Sequence, residues 1–177
     1  MARAARNRST VGDMVRSLAV LLIPVLAITL LFTVDPQESP GAQPVEWQPV
    51  RDQAVAEAGF EVVAPARLPE SWAPVRVAWE NDDEQAQRWM LGWLDPQQTY
   101  FAVEQSNVTS AIFIARVSRD GVADGVSQVG DQTWERYRSP DDRTRSLVLT
   151  GPEATTIVVS DASYEALEAF AATLEVS

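Results

Sequence analysis

Residues 133–160 read TWERYRSPDDRTRSLVLTGPEATTIVVS, and they carry the clearest β-pattern of the chain. Three runs within this stretch are rich in β-branched and aromatic residues: Thr133–Arg138, Arg145–Thr150 and Thr155–Ser160. The turn-forming sequences SPDD and GP separate these runs. Because such short connections join strands that lie side by side, the stretch predicts an antiparallel meander.

The residues before the meander extend the same architecture. Val75–Glu80 alternates apolar and polar residues, Thr99–Gln105 follows a turn, and Phe60–Ala64 is a short apolar run. Arg88–Leu94 carries large apolar residues on both faces, which predicts a strand in the middle of a sheet. Ahead of the meander we expect three turns, at Gly121, Gly125 and Gly130.

Three segments have the character of helices. Val50–Ala58 ends at Gly59, a common helix stop, and Ser163–Leu174 has an apolar stripe with Ser163 as its N-cap. Val108–Val117 fits a strand or a helix, and the spacing of its apolar residues favours the helix. Strands in runs with helices at intervals predict an α+β domain. We expect an antiparallel β-sheet with packed helices, of two-layer or sandwich type, preceded by one transmembrane helix.

An uncharged apolar run, SLAVLLIPVLAITLLFTV, occupies residues 17–34. As a helix it would be roughly 27 Å long, which is about the thickness of the hydrocarbon core of a bilayer. Arginines precede the run and acids follow it, which predicts that residues 1–16 are a basic cytoplasmic tail. A cleaved signal peptide is the alternative, although the run is longer than usual and no small-x-small cleavage site follows it.

Residues 35–49, DPQESPGAQPVEWQP, contain four prolines and predict an extended, semi-rigid stalk. The stalk would carry an extracytoplasmic domain formed by residues 50–177. From residue 35 onward the chain holds 24 acids against 10 arginines, which keeps a domain soluble and argues against nucleic acid as a partner. The predicted location is the cell membrane, with a single span, a cytoplasmic N-terminus and an outer C-terminal domain.

The residue types that the chain lacks exclude several kinds of site. There is no Cys, His or Lys, so disulfides, thiolate or imidazole metal sites and catalysis by these residues are impossible. No nucleophile elbow, phosphate loop or dinucleotide fingerprint occurs in the sequence. We predict no catalytic residue, no cofactor and no metal. A carboxylate pair of the glycosidase kind stays open, with the candidates Asp82, Asp83, Glu84 and Glu104.

Five residues are candidates for contact with a ligand or a partner: Trp47, Trp72, Trp134, Arg136 and Arg138. Trp72 and Trp134 belong to a set of tryptophans that could line a ligand groove or, as is more common at strand spacing, fill the core. Trp47 lies in the predicted stalk with few neighbours to bury it, and could meet the membrane interface or a partner. Arg136 and Arg138 alternate with Trp134 on one strand face, which suits an anion or partner contact or a solvated face.

Five elements of the chain together resemble one family. They are Gly12–Leu18 after the basic tail, Ala58–Phe60 with Pro65, Leu68-Pro69 and Trp72, then Tyr100–Ser106, Gly130–Glu135, and the terminal unit Thr155–Leu174. In these elements the chain is similar to the actinobacterial membrane-anchored proteins catalogued as domain of unknown function 4245. The resemblance implies a location in the actinobacterial envelope and a small extracytoplasmic α+β domain. It implies no particular activity.

Three functional hypotheses follow. The first is a non-enzymatic module of the bacterial envelope that binds a partner protein or an apolar ligand. The second is a carboxylate-dependent enzyme acting on cell-wall glycans, and the third is an accessory subunit of a membrane complex. A deep apolar cavity between sheet and helix would favour ligand binding, a flat exposed apolar patch would favour a partner, and acids gathered in a concave pocket would favour the enzyme.

Overall fold

The computed structural model describes residues 44–82 and 86–177, and Leu22 by itself. The predicted tail, the predicted span at residues 17–34 and the greater part of the predicted stalk lie outside the described residues, so these stay predictions. Among the residues that are described, no helix has the length and apolar character needed to cross a membrane. The carboxylate candidates Asp83 and Glu84 also lie outside the described residues.

The described part of the chain forms three helices and nine strands. The helices are α1 (Gln48–Glu57), α2 (Ser110–Val117) and α3 (Tyr164–Ala171). The strands are β1 (Val63–Pro65), β2 (Ala73–Asp82), β3 (Ala86–Leu94), β4 (Tyr100–Ser106), β5 (Val122–Val129), β6 (Gln132–Arg138), β7 (Arg145–Thr150), β8 (Thr155–Ser160) and β9 (Leu174–Val176). Seven strands make one antiparallel sheet in the order β2-β3-β4-β8-β7-β6-β5, and β1 pairs with β9 in a small antiparallel sheet. The predicted α+β class with an antiparallel sheet is confirmed.

The meander predicted from residues 133–160 is also confirmed. β6 pairs with β7 and β7 pairs with β8, and short turns join them. β8 pairs on its other side with β4, so that Val158 lies between Val103 and Leu147. This pairing of strands that are far apart in the chain joins the meander to the β2–β4 hairpins and completes the sheet.

Alternating side chains give the central sheet two covered faces. The front face is covered by α1 and α3, and its buried side chains include Trp89, Leu91, Phe101, Val103, Leu147 and Val158. The back face carries Val148 and Ile157, against which α2 packs with Phe113 and Val117. The predicted two-layer or sandwich arrangement is therefore corrected to one with helices on both faces. β7 and β8 are apolar on both sides, which leaves two faces to be covered.

The folded domain begins upstream of residue 50. Helix α1 starts at Gln48, with Pro49 in the first turn, where the missing N–H of proline is not needed. Before the helix, the Val45 N–H donates to the Pro74 carbonyl at 2.8 Å, which fixes this segment to β2. The second predicted helix is confirmed as α2, because the segment Val108–Val117 is helical from Ser110 onward.

The last helix is shorter than predicted. Ser163 is its N-cap, as predicted, and accepts a hydrogen bond from the Ala166 N–H at 3.3 Å. The helix ends at Ala171, however, and Leu174 begins β9, where it lies opposite Pro65. Because backbone groups of β1 need partners, pairing with β9 replaces the further helical turn.

The prediction of a turn at Gly125 is wrong, because Val122–Val129 forms strand β5. Gly125 has a φ of 97° and lies where the register of β5 on β6 shifts, between Ala123 and Val126. A glycine at positive φ marks a bulge inside a strand as readily as a turn. Gly130, with a φ of 58°, does form the predicted turn, which connects β5 to β6.

Candidate functional site

A cleft with a volume of about 550 Å³ opens on the front side of the central sheet, and we call it the front cleft. It lies where β6 and β7 approach the small sheet and the last turn of α3. Apolar side chains supply much of its lining: Phe60, Val63, Trp134, Leu149, Leu174 and Val176. A concave space with such walls, between a sheet and a helix, is typical of sites that hold small apolar ligands.

Two tight turns bring acids to the front cleft. The β5–β6 loop has only two residues, Gly130 and Asp131, and the left-handed conformation of Gly130 lets the strands reverse there. The turn between β7 and β8 contributes Glu153, and the segment before β1 contributes Glu61. Three carboxylates therefore line this cleft, and none of the described residues that line it is an arginine.

One buried amide supports the wall of the front cleft. Gln105 is 3% exposed, and its Nε2 donates to the Glu61 carbonyl at 3.0 Å and to the Thr156 hydroxyl at 3.1 Å. Its Oε1 accepts a hydrogen bond from the Val63 N–H at 2.8 Å. These bonds occupy the amide and hold the segment around β1 against the central sheet, so Gln105 shapes the cleft from within.

Trp134 is a predicted site residue that lines the front cleft. Its side chain is 3% exposed, and its indole N–H has no hydrogen-bond acceptor among the described residues. A buried donor without a partner costs about 1–3 kcal/mol. The ring therefore forms part of the cleft wall, and its N–H lies inside that wall, where a ligand in the cleft does not reach it.

Trp47 belongs to the packing of the domain and lies away from the front cleft. Its ring meets Trp93 edge to face, with the ring centroids 5.9 Å apart. The Arg51 guanidinium lies over the same ring, 5.3 Å from its centroid. The expectation that few neighbours bury Trp47 is wrong, because the turn into α1 returns the side chain to β3.

Trp72 also packs within the core. Its ring stacks on Phe170 of α3, at a centroid distance of 5.8 Å, and lies 5.0 Å from the Phe101 ring of β4. It therefore joins the loop before β2 to both the helix and the sheet. Of the two interpretations given to this residue, core packing is the one that its surroundings support.

Arg136 links β6 to α3. Its guanidinium donates to the Ser127 hydroxyl and to a Glu168 carboxylate oxygen, both at 2.6 Å, and lies 4.6 Å from the ring centroid of Tyr164. The hydrogen bond from Ser127 and the bond from Arg136 lower the pKa of Glu168. The positive charge of Arg136 is therefore already balanced inside the domain.

Arg138 is occupied in the same way. Its Nη1 lies 2.6 Å from Asp142 Oδ1, and its Nε lies 3.3 Å from Asp124 Oδ2. Asp124 also accepts a hydrogen bond from the Tyr164 hydroxyl at 2.9 Å, and burial together with this bond raises the pKa of Tyr164 to about 12. The strand face with Arg136 and Arg138 is thus bound to acids of its own domain.

The family model described as Protein of unknown function (DUF4245) matches residues 6–174. The chain belongs to this family. The match takes in the predicted span, all three described helices and every residue that lines the front cleft except Val176. A search of curated proteins found no match to the chain.

The carboxylate candidates Asp82 and Glu104 do not come together in this member of the family. Asp82 on β2 lies opposite Ala86 of β3, and Glu104 on β4 lies opposite Met90 of β3. Ala86 and Met90 are about 13 Å apart along β3. Glu104 is bound instead to Arg88, whose Nη2 is 2.6 Å from Oε2. Among the described residues, no three acids approach each other as a group that could hold a metal ion.

Sequence reasoning missed the acids that do share a cleft, Glu61, Asp131 and Glu153. Each comes from a different turn or loop, and only the strand pairing brings the three to one place. The hairpin loop at Gly130-Asp131 is a sequence signal that places Asp131 in a turn. The sequence also predicts the apolar walls as strands, but it does not predict that the central sheet and the small sheet face a common space.

Proposed function

We propose that the chain is a membrane-tethered, non-enzymatic binding protein of the bacterial envelope, and that its front cleft binds a small apolar ligand. One observation carries the proposal: a cleft of about 550 Å³ with apolar walls lies between sheet and helix. Pockets that hold small molecules measure roughly 300–1,000 Å³ and combine apolar walls with a few polar groups. The front cleft lies within that size range, and its lining joins apolar walls to polar side chains.

The charges around the front cleft define the class of ligand. Glu61, Asp131 and Glu153 line it without a balancing arginine in its lining, so an anionic headgroup would be repelled there. Trp134 and the other apolar side chains of the lining suit an alkyl or ring body. The ligand is therefore a neutral or cationic molecule with such a body.

A photoreactive fatty alcohol with a diazirine in its chain tests this proposal on the full-length protein. After irradiation and cleavage at arginine, we expect the label in the fragments 120–136 and 146–177, which hold Trp134 and Leu149. Fragment 77–88 contributes no residue to the front cleft and should stay unlabelled. A fatty alcohol should compete with the label, and an alkyl sulfate of equal length should not.

A matched pair of variants locates the binding. Ala154→Phe places a ring in the front cleft at a half-buried position, whereas Ala123→Phe makes the same change at an exposed position of β5. Labelling should fall about tenfold in the first variant and stay unchanged in the second, because a filled cleft loses the apolar contact area of the ligand. Equal labelling of both variants would contradict the assignment of the site.

The membrane tether is the second part of the proposal, and the apolar run at residues 17–34 with its flanking charges supports it. The mass of the membrane-extracted protein should correspond to the uncleaved chain. A mature N-terminus near Ala42 would contradict the anchor and favour a cleaved signal peptide. Protease added outside the cell should remove the C-terminal domain and leave the tail protected.

A partner protein remains the alternative occupant within the same functional class. A flat apolar patch would support it, but the most exposed large apolar side chains of residues 44–82 and 86–177 are spread over four elements: Val55, Ile112, Val122, Val126 and Val176. Val122 and Val126 of β5 lie on opposite faces of the sheet, because the bulge shifts the register between them. Val122 pairs with Arg138 and Val126 pairs with Glu135, and these two residues of β6 face opposite sides. Crosslinking in intact membranes followed by mass spectrometry would identify a partner or an accessory-subunit role.

A carboxylate enzyme acting on wall glycans is the second candidate function. The observation that favours it is the presence of Glu61, Asp131 and Glu153 in one cleft. Incubation of the full-length protein with purified peptidoglycan and chromatography of the soluble products tests it. We expect no release of fragments, and release that Glu153→Gln abolishes would replace the binding proposal with the enzyme.

A further inference from the structure

A second cleft, with a volume of about 630 Å³, lies on the back side of the central sheet, and we call it the back cleft. Strands β2, β3 and β4 supply part of its lining, and the end of α2 with the residue after its cap supplies another part. Four arginines line it: Arg76, Arg88, Arg116 and Arg119. Residues 35–177 hold 10 arginines against 24 acids, so this gathering of positive charge opposes the charge of the rest of the domain.

Two carboxylates also line the back cleft, and both have partners already. Glu104, which is 9% exposed, binds Arg88 with 2.6 Å between Oε2 and Nη2. Asp161 accepts a hydrogen bond from the Thr144 hydroxyl at 2.7 Å. Within the described residues, no carboxylate oxygen lies within 4.0 Å of a guanidinium nitrogen of the other three arginines, Arg76, Arg116 and Arg119. Three positive charges therefore have no counter-ion within 4.0 Å among the described residues.

Tyr100 adds a neutral donor beside these charges. Its ring lies over Gly92, where any Cβ would collide with the hydroxyl and the neighbouring ring carbons. The absence of a side chain at residue 92 thus lets Tyr100 lie in the back cleft. Burial raises the pKa of Tyr100, and the charge of Arg76 opposes that rise. The hydroxyl is consequently protonated at neutral pH and can donate to an anion next to Arg76.

The backbone at the back cleft adopts uncommon conformations. Gln98 and Arg119 both line the cleft, and their φ values are 63° and 57°. Asp120 follows with a φ of 56°, and its N–H donates to the Ala115 carbonyl at 2.7 Å, which fixes the turn after α2. Residues other than glycine are strained in this region, and such strain clusters at binding sites. The turn holds Arg119 at the cleft.

We propose that the back cleft binds a phosphoryl group through the guanidinium groups of Arg76, Arg116 and Arg119 and the hydroxyl of Tyr100. Each guanidinium presents paired N–H donors that match two phosphoryl oxygens. A phosphoryl dianion has the charge and the number of oxygens to serve several guanidinium groups at once, and a single carboxylate does not. The acidic surface around the domain repels a long polyanion, so the ligand is a small phosphate, a phosphomonoester or the phosphate of a lipid headgroup. This inference does not depend on the front cleft.

Calorimetric titration with inorganic phosphate tests the site, using the full-length protein in nanodiscs of phosphatidylcholine alone. Wild-type protein should bind saturably, and Arg119→Ala should weaken binding about tenfold, because hydrogen bonds to charged groups contribute strongly. The matched control is Arg67→Ala, which removes the same charge from an exposed loop outside the cleft and should bind like wild type. Equal weakening in both variants, or no binding by the wild type, would overturn the proposal.

Two further experiments determine the chemistry and the source of the phosphoryl group. Tyr100→Phe keeps the ring over Gly92 but removes the donor, so it should weaken phosphate binding about threefold to tenfold. Vesicles of phosphatidylcholine with added phosphatidic acid separate the sources of the phosphoryl group. When vesicles and free phosphate compete, an Arg119-dependent preference for the vesicles assigns a lipid headgroup, and the reverse preference assigns a soluble ligand. Tighter binding of succinate than of phosphate, with the same dependence on Arg119, would contradict a phosphoryl site.

Discussion

The front and back clefts have similar volumes, about 550 and 630 Å³, but their charges are opposite. Three carboxylates and apolar walls line the front cleft, whereas four arginines line the back cleft. Both take residues from β4 and β8, and side chains alternate between the two faces of a sheet. On β4, Gln105 faces the front cleft, and its neighbour Glu104 faces the back cleft. One antiparallel sheet can therefore present two unrelated kinds of site without any extra domain.

The largest expected effect concerns the ion pair of the back cleft. Arg88→Ala leaves the nearly buried carboxylate of Glu104 without its partner and should lower the free energy of unfolding by about 3 kcal/mol. Arg51→Ala is the control, since Arg51 binds the exposed Asp52 and should cost less than about 1 kcal/mol. Urea denaturation of both variants measures the difference. A difference below 1 kcal/mol would show that Glu104 is not held by this pair.

The sequence predicts the local parts of the fold well and the assembled clefts poorly. The meander and the Ser163 cap depend on residues that are close in the chain, so local sequence patterns predict them. The pairing of β4 with β8 depends on the whole sheet, and no short pattern encodes it. Gly125 has the positive φ of a turn glycine but lies in a bulge, and the two are alike in sequence.

The candidate site residues show the same limit. The alternation of Arg136 and Arg138 on one strand suits an anion contact, but Arg136 forms an ion pair with Glu168 and Arg138 forms one with Asp142. Arg76, Arg116 and Arg119, which form no ion pair with a described residue, come from β2, α2 and the turn after it, and only the fold brings them together. Trp134 was identified from aromatic spacing, which does not distinguish a cleft wall from a core position.

The next prediction separates the two clefts by their ligands. Ala154→Phe should reduce labelling by the fatty alcohol about tenfold and leave phosphate binding unchanged, because it fills only the front cleft. Arg119→Ala should do the reverse, with unchanged labelling and about tenfold weaker phosphate binding. Photolabelling and calorimetry on the same preparations give both readouts. A variant that lowers both would indicate one coupled site or a general loss of folding, which circular dichroism distinguishes.

A smaller effect is expected from the link between α3 and the sheet. Ser127 and Arg136 lower the pKa of Glu168 in the folded protein. The Glu168 carboxylate therefore adds to the free energy of unfolding above its ordinary pKa of 4.5, and this stabilisation is lost as the pH falls through the lowered pKa of the folded state. Glu168→Gln should cost about 1 kcal/mol or less at pH 7. Below the lowered pKa of Glu168 in the folded protein, the variant and the wild type should become equally stable. Urea denaturation at a series of pH values checks this, and a constant difference would contradict it.

The smallest effect concerns the indole donor of the front cleft. Trp134→Phe keeps an aromatic wall and removes the N–H that has no acceptor in the described part of the chain. The free energy of unfolding should change by less than about 1 kcal/mol, because the loss of a buried donor without a partner offsets the loss of packing by the smaller ring. Trp93→Phe is the comparison, because the Trp93 indole N–H also has no acceptor among the described residues but does not line the cleft. Urea denaturation of both variants measures the effect, and a loss of more than about 2 kcal/mol in Trp134→Phe would contradict it.

The most direct test of two clefts with opposite chemistry is one NMR titration of the full-length protein with two probes in turn. Octanol should move the indole signal of Trp134 and leave the Nε signal of Arg119 in place. Inorganic phosphate should move the Arg119 signal and leave Trp134 in place, and neither probe should alter the affinity for the other. Signals that respond to both probes alike, or a phosphate response at Trp134 without one at Arg119, would contradict the account.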